Sequence, residues 1–256
     1  MSRSDVLIVL TCYSRPQNMP SVIKAWREQT VQCRIVVADN SPPYQHDEQG
    51  PYPANGLCLA DDVWRWTENS GCPCWLAPAV MLYGHKYVLR ADDDFLPGRR
   101  AVEHLLATAK MLNDEFSTIG QVGRIFGGIS HDRYVRSNVP RDNVTRAVDL
   151  TCRVSFMRSV APSAAICWRN MLLTNHPSEE TSRLVGVHDD FLLCCGTQSV
   201  TKFPSYVTAR TDDSETELVK VEIPNGTESC YKRPGHYEER EAMVQLCVKA
   251  GWRSLT

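Results

Sequence analysis

Asp5-Val6-Leu7-Ile8-Val9-Leu10-Thr11 is followed, after a polar turn, by a helix-period stretch from Met19 to Thr30 and then by Arg34-Ile35-Val36-Val37-Ala38-Asp39. The two outer runs are short, apolar and rich in branched side chains, as in strands covered on both faces. Between them Val22, Ile23 and Trp26 share one helical face, and Pro20 sits near the start, where its missing N–H costs nothing. Strand, helix, strand in that order is a βαβ unit. The two strands therefore run parallel, joined by a right-handed crossover.

The pattern continues outward from this unit. Residues 41–56 are rich in Pro, Gly, Tyr and Gln and read as a long loop. Leu57 to Glu68 reads as a helix with Leu59, Val63 and Trp66 on one side. Lys86 to Ala91 is a third strand, broken by Asp92-Asp93-Asp94, and Ala101 to Leu112 is a helix with Val102, Leu105, Leu106 and Met111 as its apolar stripe. In the second half Ile119–Gly128 and Ala161–Trp168 read as strands, Asp189–Cys195 begins a short apolar helix, and His236–Ala250 closes the pattern as an amphipathic helix. There is no internal repeat and no low-complexity linker. The expected architecture is one α/β domain with a mainly parallel central sheet flanked by helices.

Composition narrows the classes. With 256 residues, 43% hydrophobic and 23% charged, the chain is an ordinary globular sequence, not a coiled coil, a collagen-like rod or a disordered tail. A formal net charge of −2 argues against a globally basic nucleic-acid binder. The longest uncharged stretch, Asn69 to Gly84, is too short and too broken by proline and glycine to span a bilayer. No signal peptide is read at the amino terminus, where only six apolar residues precede polar sequence. Eleven cysteines are scattered, several in apolar segments such as Ala165-Ile166-Cys167-Trp168, which points to reduced, buried thiols in a cytoplasmic protein. The tight pairs Cys72/Cys74 and Cys194/Cys195 have no second pair at zinc spacing.

Chemistry concentrates at Asp92-Asp93-Asp94. Three adjacent carboxylates at the carboxyl end of a buried strand repel one another, and at least one takes a raised pKa without a counter-charge. A hard divalent cation, Mg²⁺ or Mn²⁺, removes that conflict and commonly bridges carboxylates to a substrate phosphate. Open α/β sheets bind ligands outside the carboxyl ends of their strands, which is where this run falls. The bland alternative is a solvated acidic turn that caps the next helix.

The order of these features resembles the family-2 glycosyltransferases with the GT-A fold. The resemblance lies in the apolar first strand, a turn ending Ser14-Arg15-Pro16, a helix ending Arg27-Glu28-Gln29-Thr30 and a strand ending Asp39-Asn40-Ser41. Further along lie Arg90-Ala91-Asp92-Asp93-Asp94, a small-residue segment Ala161–Ile166 followed by Trp168-Arg169, and Val187-His188-Asp189-Asp190-Phe191. It spans roughly residues 5–195.

The resemblance implies a GT-A-like nucleotide-binding fold. Residues 1–118 form the nucleotide-sugar half and 119–256 the acceptor half. Thr11, Tyr13, Arg15, Asp39, Arg90, Asp92 and Asp93 bind the donor, a UDP-sugar such as UDP-glucose being favoured. Asp94 and Asp92 hold Mn²⁺ or Mg²⁺, with His236 as a late candidate ligand. Asp190 or Asp189 is the catalytic base, Asp190 being favoured, and Ala161–Ile166 is a strand near the donor sugar. A single base opposite the leaving group implies inversion. The chain departs from the family pattern at Ser14, where Asn is usual, at Asp189, where Glu is usual, and in lacking a glycine pair in the small-residue segment.

The acceptor is open. Residues 124–158 carry seven arginines against three aspartates, a net charge of +4, with Phe126, Tyr134 and Phe156 interleaved. Arginine suits phosphate forks and base stacking, which fits a polyanion such as phage-type DNA with a hydroxymethylated base. The bland alternative is compositional, since the whole chain has 21 Arg to 7 Lys. A polysaccharide or small-molecule acceptor stays open, as does a non-catalytic, metal-dependent carbohydrate-binding module. A sugar-nucleotide pyrophosphorylase needs a glycine-rich phosphate loop after the first strand, and Thr11 to Asn18 contains no glycine.

Overall fold

β1 (Val6–Cys12), β2 (Arg34–Asp39), β3 (Asp62–Arg65) and β4 (Tyr87–Ala91) lie side by side in the order β3-β2-β1-β4, all parallel. The computed structural model describes residues 4–13, 15–41, 59–82, 84–128, 132–223 and 233–255. Beyond β4 the sheet continues through β8 (Leu150–Arg158), β6 (Thr118–Arg124), β9 (Ser205–Val207) and β7 (Arg146–Val148). β8 and β7 run against the others, so six of the eight strands share one direction. A small antiparallel pair, β5 (Phe95–Leu96) with β10 (Val221–Glu222), sits just past the end of β4.

The alternation of side chains along β1 divides the core in two. Val6, Ile8 and Leu10 point to one face, where α1 (Met19–Arg27) and α3 (Ala101–Met111) cover them with Val22, Ile23, Trp26, Val102 and Leu105. Leu7 and Val9 point to the other. There α4 (Ala161–Asn175), α6 (Asp189–Thr201) and α7 (His236–Lys249) bring Ala165, Phe191, Leu192 and Met243, and Trp252 follows just after α7. Each of the larger aliphatic and aromatic side chains among these contributes about 1.5–3 kcal/mol by leaving water, and the single methyl of Ala165 about 0.8 kcal/mol. Burial on both faces explains why the β1 and β2 runs are apolar without alternation. Two shorter helices, α2 (Leu76–Met81) and α5 (Glu179–Val187), pack at the α4/α6 side. α5 starts at Ser178, whose hydroxyl accepts from the Thr181 N–H as an N-cap.

Several expected elements are different. Asp62–Arg65, inside the expected helix 57–68, is an edge strand paired with Val36–Asp39. The spacing of Leu59, Val63 and Trp66 suits a helix, but Val and Trp also suit a pleated surface, and an open edge of β2 decides the matter. Leu57, Cys58 and the part of the expected loop from 42 to 56 lie outside the described residues. Ala161–Trp168 is the first half of helix α4, not a strand. Pro162 falls in its first turn, and Ala161, Ala164 and Ala165 form a helical face against the core. The expected strand beside the donor sugar is therefore absent there. The strand expected over 119–128 ends at Arg124. Cys167 is exposed, because that turn of α4 faces outward; Cys12, Cys33, Cys74, Cys194, Cys195 and Cys247 are buried, as expected.

Candidate active site

Parallel pairing brings the carboxyl ends of β1, β2 and β4 level with one another. Cys12 pairs with Asp39, and Leu10 pairs with Ala91, so Thr11 and Tyr13 stand beside the Asp92–Asp94 run. The Thr11 hydroxyl donates to Asp92 Oδ1 (3.1 Å), the Tyr13 N–H donates to Asp93 Oδ2 (3.0 Å) and Asn18 Nδ2 donates to the Asp93 carbonyl (3.1 Å). The turn after β1 is thus pinned onto the acidic run by three hydrogen bonds from residues nearly eighty positions away.

Arg15 forks across the run, one nitrogen on Asp93 and the other on Asp94 Oδ2 (2.9 Å). Asp93 is only 2% exposed and both its oxygens meet protein donors, so its contacts are internal. Burial pushes the Asp93 carboxyl up to about 7 against the opposing pull of Arg15. Asp94 is also raised, first by burial and then by Asp92, and its Oδ1 is buried with no protein partner. Asp92 uses Oδ1 for both Thr11 and Arg90 (2.8 Å).

Arg90, the fourth residue of β4, joins this run to the second acidic pair. Its Nη2 lies 2.8 Å from Asp92 and 3.2 Å from Asp189 Oδ2, and its Nη1 donates to the Arg153 carbonyl (2.6 Å). Asp189 opens α6, where a carboxylate gains from the positive end of the helix. The indole N–H of Trp75 donates to the same Asp189 oxygen (2.7 Å). Burial pushes Asp189 up to about 6 despite Arg90. Asp190 differs: burial would raise it, but the Arg240 guanidinium, 2.6 Å away and reaching over from α7, holds it below the usual carboxylate range. Arg240 in turn lies over the rings of Phe191 and Tyr134, each ring centroid 4.7 Å from its central carbon.

The structure therefore brings together Thr11, Tyr13, Arg15, Arg90, Asp92, Asp93, Asp94, Asp189 and Asp190 in one chain of contacts. Asp39 ends β2 on the same edge but is buried, accepting from the Ser41 N–H and lying 3.5 Å from Arg65. Tyr13 is 43% exposed at the rim. His236 is not brought to the Asp92–Asp94 run; its neighbours are His188, Tyr237, Asp190 and Arg240. Trp75, Asn18 and Arg240 carry no signal in the sequence, since each acts across 50 or more residues.

Among the described residues no group of three or more His, Cys, Asp or Glu is arranged to hold a metal ion. A Mg²⁺-type site needs less, one or two carboxylates completed by substrate phosphates and water. Asp94 Oδ1, buried and unpartnered, and Asp92, engaged through one oxygen only, meet that need.

The arginine-rich segment is largely compensated. Arg136, Arg141, Arg146 and Arg153 pair with Glu238, Glu217, Asp142 and Glu222, and Arg124 donates to Tyr134 and Asn138. No helix among the described residues is long and apolar enough to cross a membrane.

No family model matches the chain, and no curated protein matches it. Among solved structures, S. aureus TarS is 14% identical over 80% of this chain and 35% of its own, with a TM-score of 0.48. S. aureus TarS 1–349 in complex with UDP-GlcNAc is 13% identical over 81% of this chain and 56% of its own, with a TM-score of 0.45. The mannosyltransferase PcManGT from Pyrobaculum calidifontis, in complex with GDP-Man and Mn²⁺, is 16% identical over 98% of this chain and 74% of its own, with a TM-score of 0.46. The chain spans between about a third and three-fifths of the length of the TarS chains. At such identities chemistry does not transfer by likeness, and function is read from the side chains.

Proposed function

We propose that this chain is a metal-dependent glycosyltransferase that moves a sugar from a nucleotide-sugar, UDP-sugars first, to an acceptor hydroxyl with inversion. The observation that carries the reading is the convergence of two acidic groups, Asp92–Asp94 and Asp189–Asp190, on one sheet edge, with Arg90 between them. A turn with an exposed tyrosine and a forked arginine closes that edge.

Residues 1–118 take the donor and 119–256 the acceptor. Tyr13 and Asp39 flank the nucleoside, and Thr11, Arg15, Arg90 and Asp93 shape the diphosphate cradle, Asp93 through its hold on Arg15 and Tyr13. Asp94 and Asp92 would hold Mn²⁺ or Mg²⁺, which when bound offsets the charge that grows on the departing nucleoside diphosphate. Asp190, kept ionised by Arg240, accepts the proton of the acceptor hydroxyl as its oxygen attacks the anomeric carbon. Asp189, held by Trp75 and Arg90, links that base to the donor side.

For the acceptor, DNA with a hydroxymethylated base draws its support from residues 124–158. Four of the seven arginines there already face carboxylates, so a hydroxyl-rich saccharide is the better-supported acceptor.

The test is incubation with UDP-glucose, UDP-N-acetylglucosamine and GDP-mannose plus Mn²⁺. Slow release of the nucleoside diphosphate, abolished by chelation, is expected with one of them. Binding of saccharide without release from any donor is the signature of a non-catalytic carbohydrate-binding module and would overturn the proposal.

A further inference from the structure

A groove of about 340 Å³ runs between α7 and the segment around Tyr134, lined by Tyr134, Arg136, Tyr237, Glu238 and Glu241. Its walls are fastened: the Tyr134 N–H donates to Glu241 Oε2 (2.6 Å). Two tyrosine rings stand 6.4 Å apart within it, tilted by 35°. Arg136 lies over the Tyr237 ring, 4.4 Å from its centroid, and 3.8 Å from Glu238. The ring of Tyr134 rests on the Arg240 guanidinium that holds Asp190. The groove is therefore one side-chain layer away from the second acidic pair.

We propose that this groove is an acceptor subsite for a neutral saccharide, holding a sugar unit beyond the one whose hydroxyl reacts. Its place in a reaction rests on the transferase reading above; its ligand chemistry rests on its own side chains. One face of each phenol is covered by a guanidinium, Arg136 on Tyr237 and Arg240 on Tyr134; a phenol ring covered on one face keeps its opposite face and edge for the C–H face of a pyranose. Carboxylates accept from sugar hydroxyls, and the guanidinium and phenols donate to ring and hydroxyl oxygens. The volume falls at the lower end for small-molecule sites. Among the described residues two glutamates against one arginine leave the lining formally negative, which disfavours phosphate and sulfate groups. The same lining fits a sugar chain and opposes a nucleic-acid backbone.

The experiment measures binding of maltotetraose, cellotetraose and chitotetraose to the intact protein by calorimetry, with a heparin tetrasaccharide and an oligothymidylate as charged probes. At least one neutral tetrasaccharide is expected to bind, more tightly than either polyanion. Tyr237→Ala is expected to weaken that binding about tenfold or more. Glu238→Ala, at a residue whose side chain is 73% exposed and so safe for folding, is expected to weaken it several-fold. No binding of any neutral probe at millimolar concentration, tighter binding of a polyanion, or neutral binding that survives both substitutions would each overturn the proposal. Nucleotide release by the unaltered protein separates the two claims. Release without saccharide binding removes the groove and keeps the transferase; binding without release does the reverse.

Discussion

Asp190 and Arg240 show what a buried charge needs. Arg240 Nη2 sits 2.6 Å from the carboxylate, and both residues are largely withdrawn from water. Breaking such a pair from one side leaves an uncompensated charge and costs about 3–5 kcal/mol, whereas removing both partners costs much less. We expect Arg240→Ala to be destabilised by roughly 3 kcal/mol in urea melts. The double substitution with Asp190→Ala should recover a good part of that loss, and simple additivity would show that the two side chains do not act as a pair. Asp94 poses the opposite case. Its loss leaves Arg15 still paired with Asp93, so Asp94→Ala should melt near the parent while Mn²⁺-dependent nucleotide release falls about 100-fold or more. Unchanged release would remove Asp94 from the metal's coordination. Asp92–Asp94 was legible in the sequence because it sits at a strand end, where an α/β sheet presents its chemistry, and Arg15 was reached only through the family resemblance. Trp75 and Arg240 were not, because a hydrogen bond closed across 114 or 50 positions leaves no local pattern.

At the scale of elements, local preference decided some segments and pairing decided others. The β1-α1-β2 unit and β4 follow from uninterrupted apolar runs and a clear helical face. Residues 62–65 became a strand because β2 offered an unpaired edge, a fact outside the segment itself. Ala161–Trp168 went the other way: its alanines and Pro162 favour a helix, and Ala161, Ala164 and Ala165 form the helical face that meets the core. Gly71 shows how tightly these elements are joined. Its φ is +79°, and a Cβ there would lie 2.4 Å from the Gly186 carbonyl oxygen near the end of α5. The turn it opens carries Trp75 toward Asp189. Gly71→Ala should therefore cost about 2 kcal/mol from the left-handed backbone and the clash. It should also weaken the indole contact, read as a shift in tryptophan fluorescence; a parent-like melt would show that the turn can relax.

For the whole molecule, acid stability turns on groups that fold in an unusual protonation state. His188, at the α5/α6 junction, is 1% exposed, and burial pulls its imidazole down to about 3. Between pH 6.5 and 3 the unfolded chain binds a proton there that the native chain does not, so His188 removes stability as pH falls through that window. The expected loss is on the order of 3 kcal/mol between pH 6.5 and 4. Asp93 acts in the other direction. Its raised value, about 7, means that its native form gains a proton before the unfolded form does, which adds stability as pH falls from about 7 towards 4. Melting temperature followed across this range in chelator should drop less steeply for His188→Gln than for the parent, and more steeply for Asp93→Asn. Parallel curves for all three proteins would contradict both assignments.

Fifty positions separate Asp190 from the guanidinium that balances it. A ribosome that has just released the second acidic pair must still thread a long stretch of chain before the neutralising partner exists. During that interval the start of α6 carries two adjacent carboxyl groups, with Arg90 and the Trp75 indole on Asp189 and the α7 guanidinium not yet on Asp190. Docking of α7 is thus a late event in biosynthesis, and the nascent chain cannot complete its buried charge network before that helix is made.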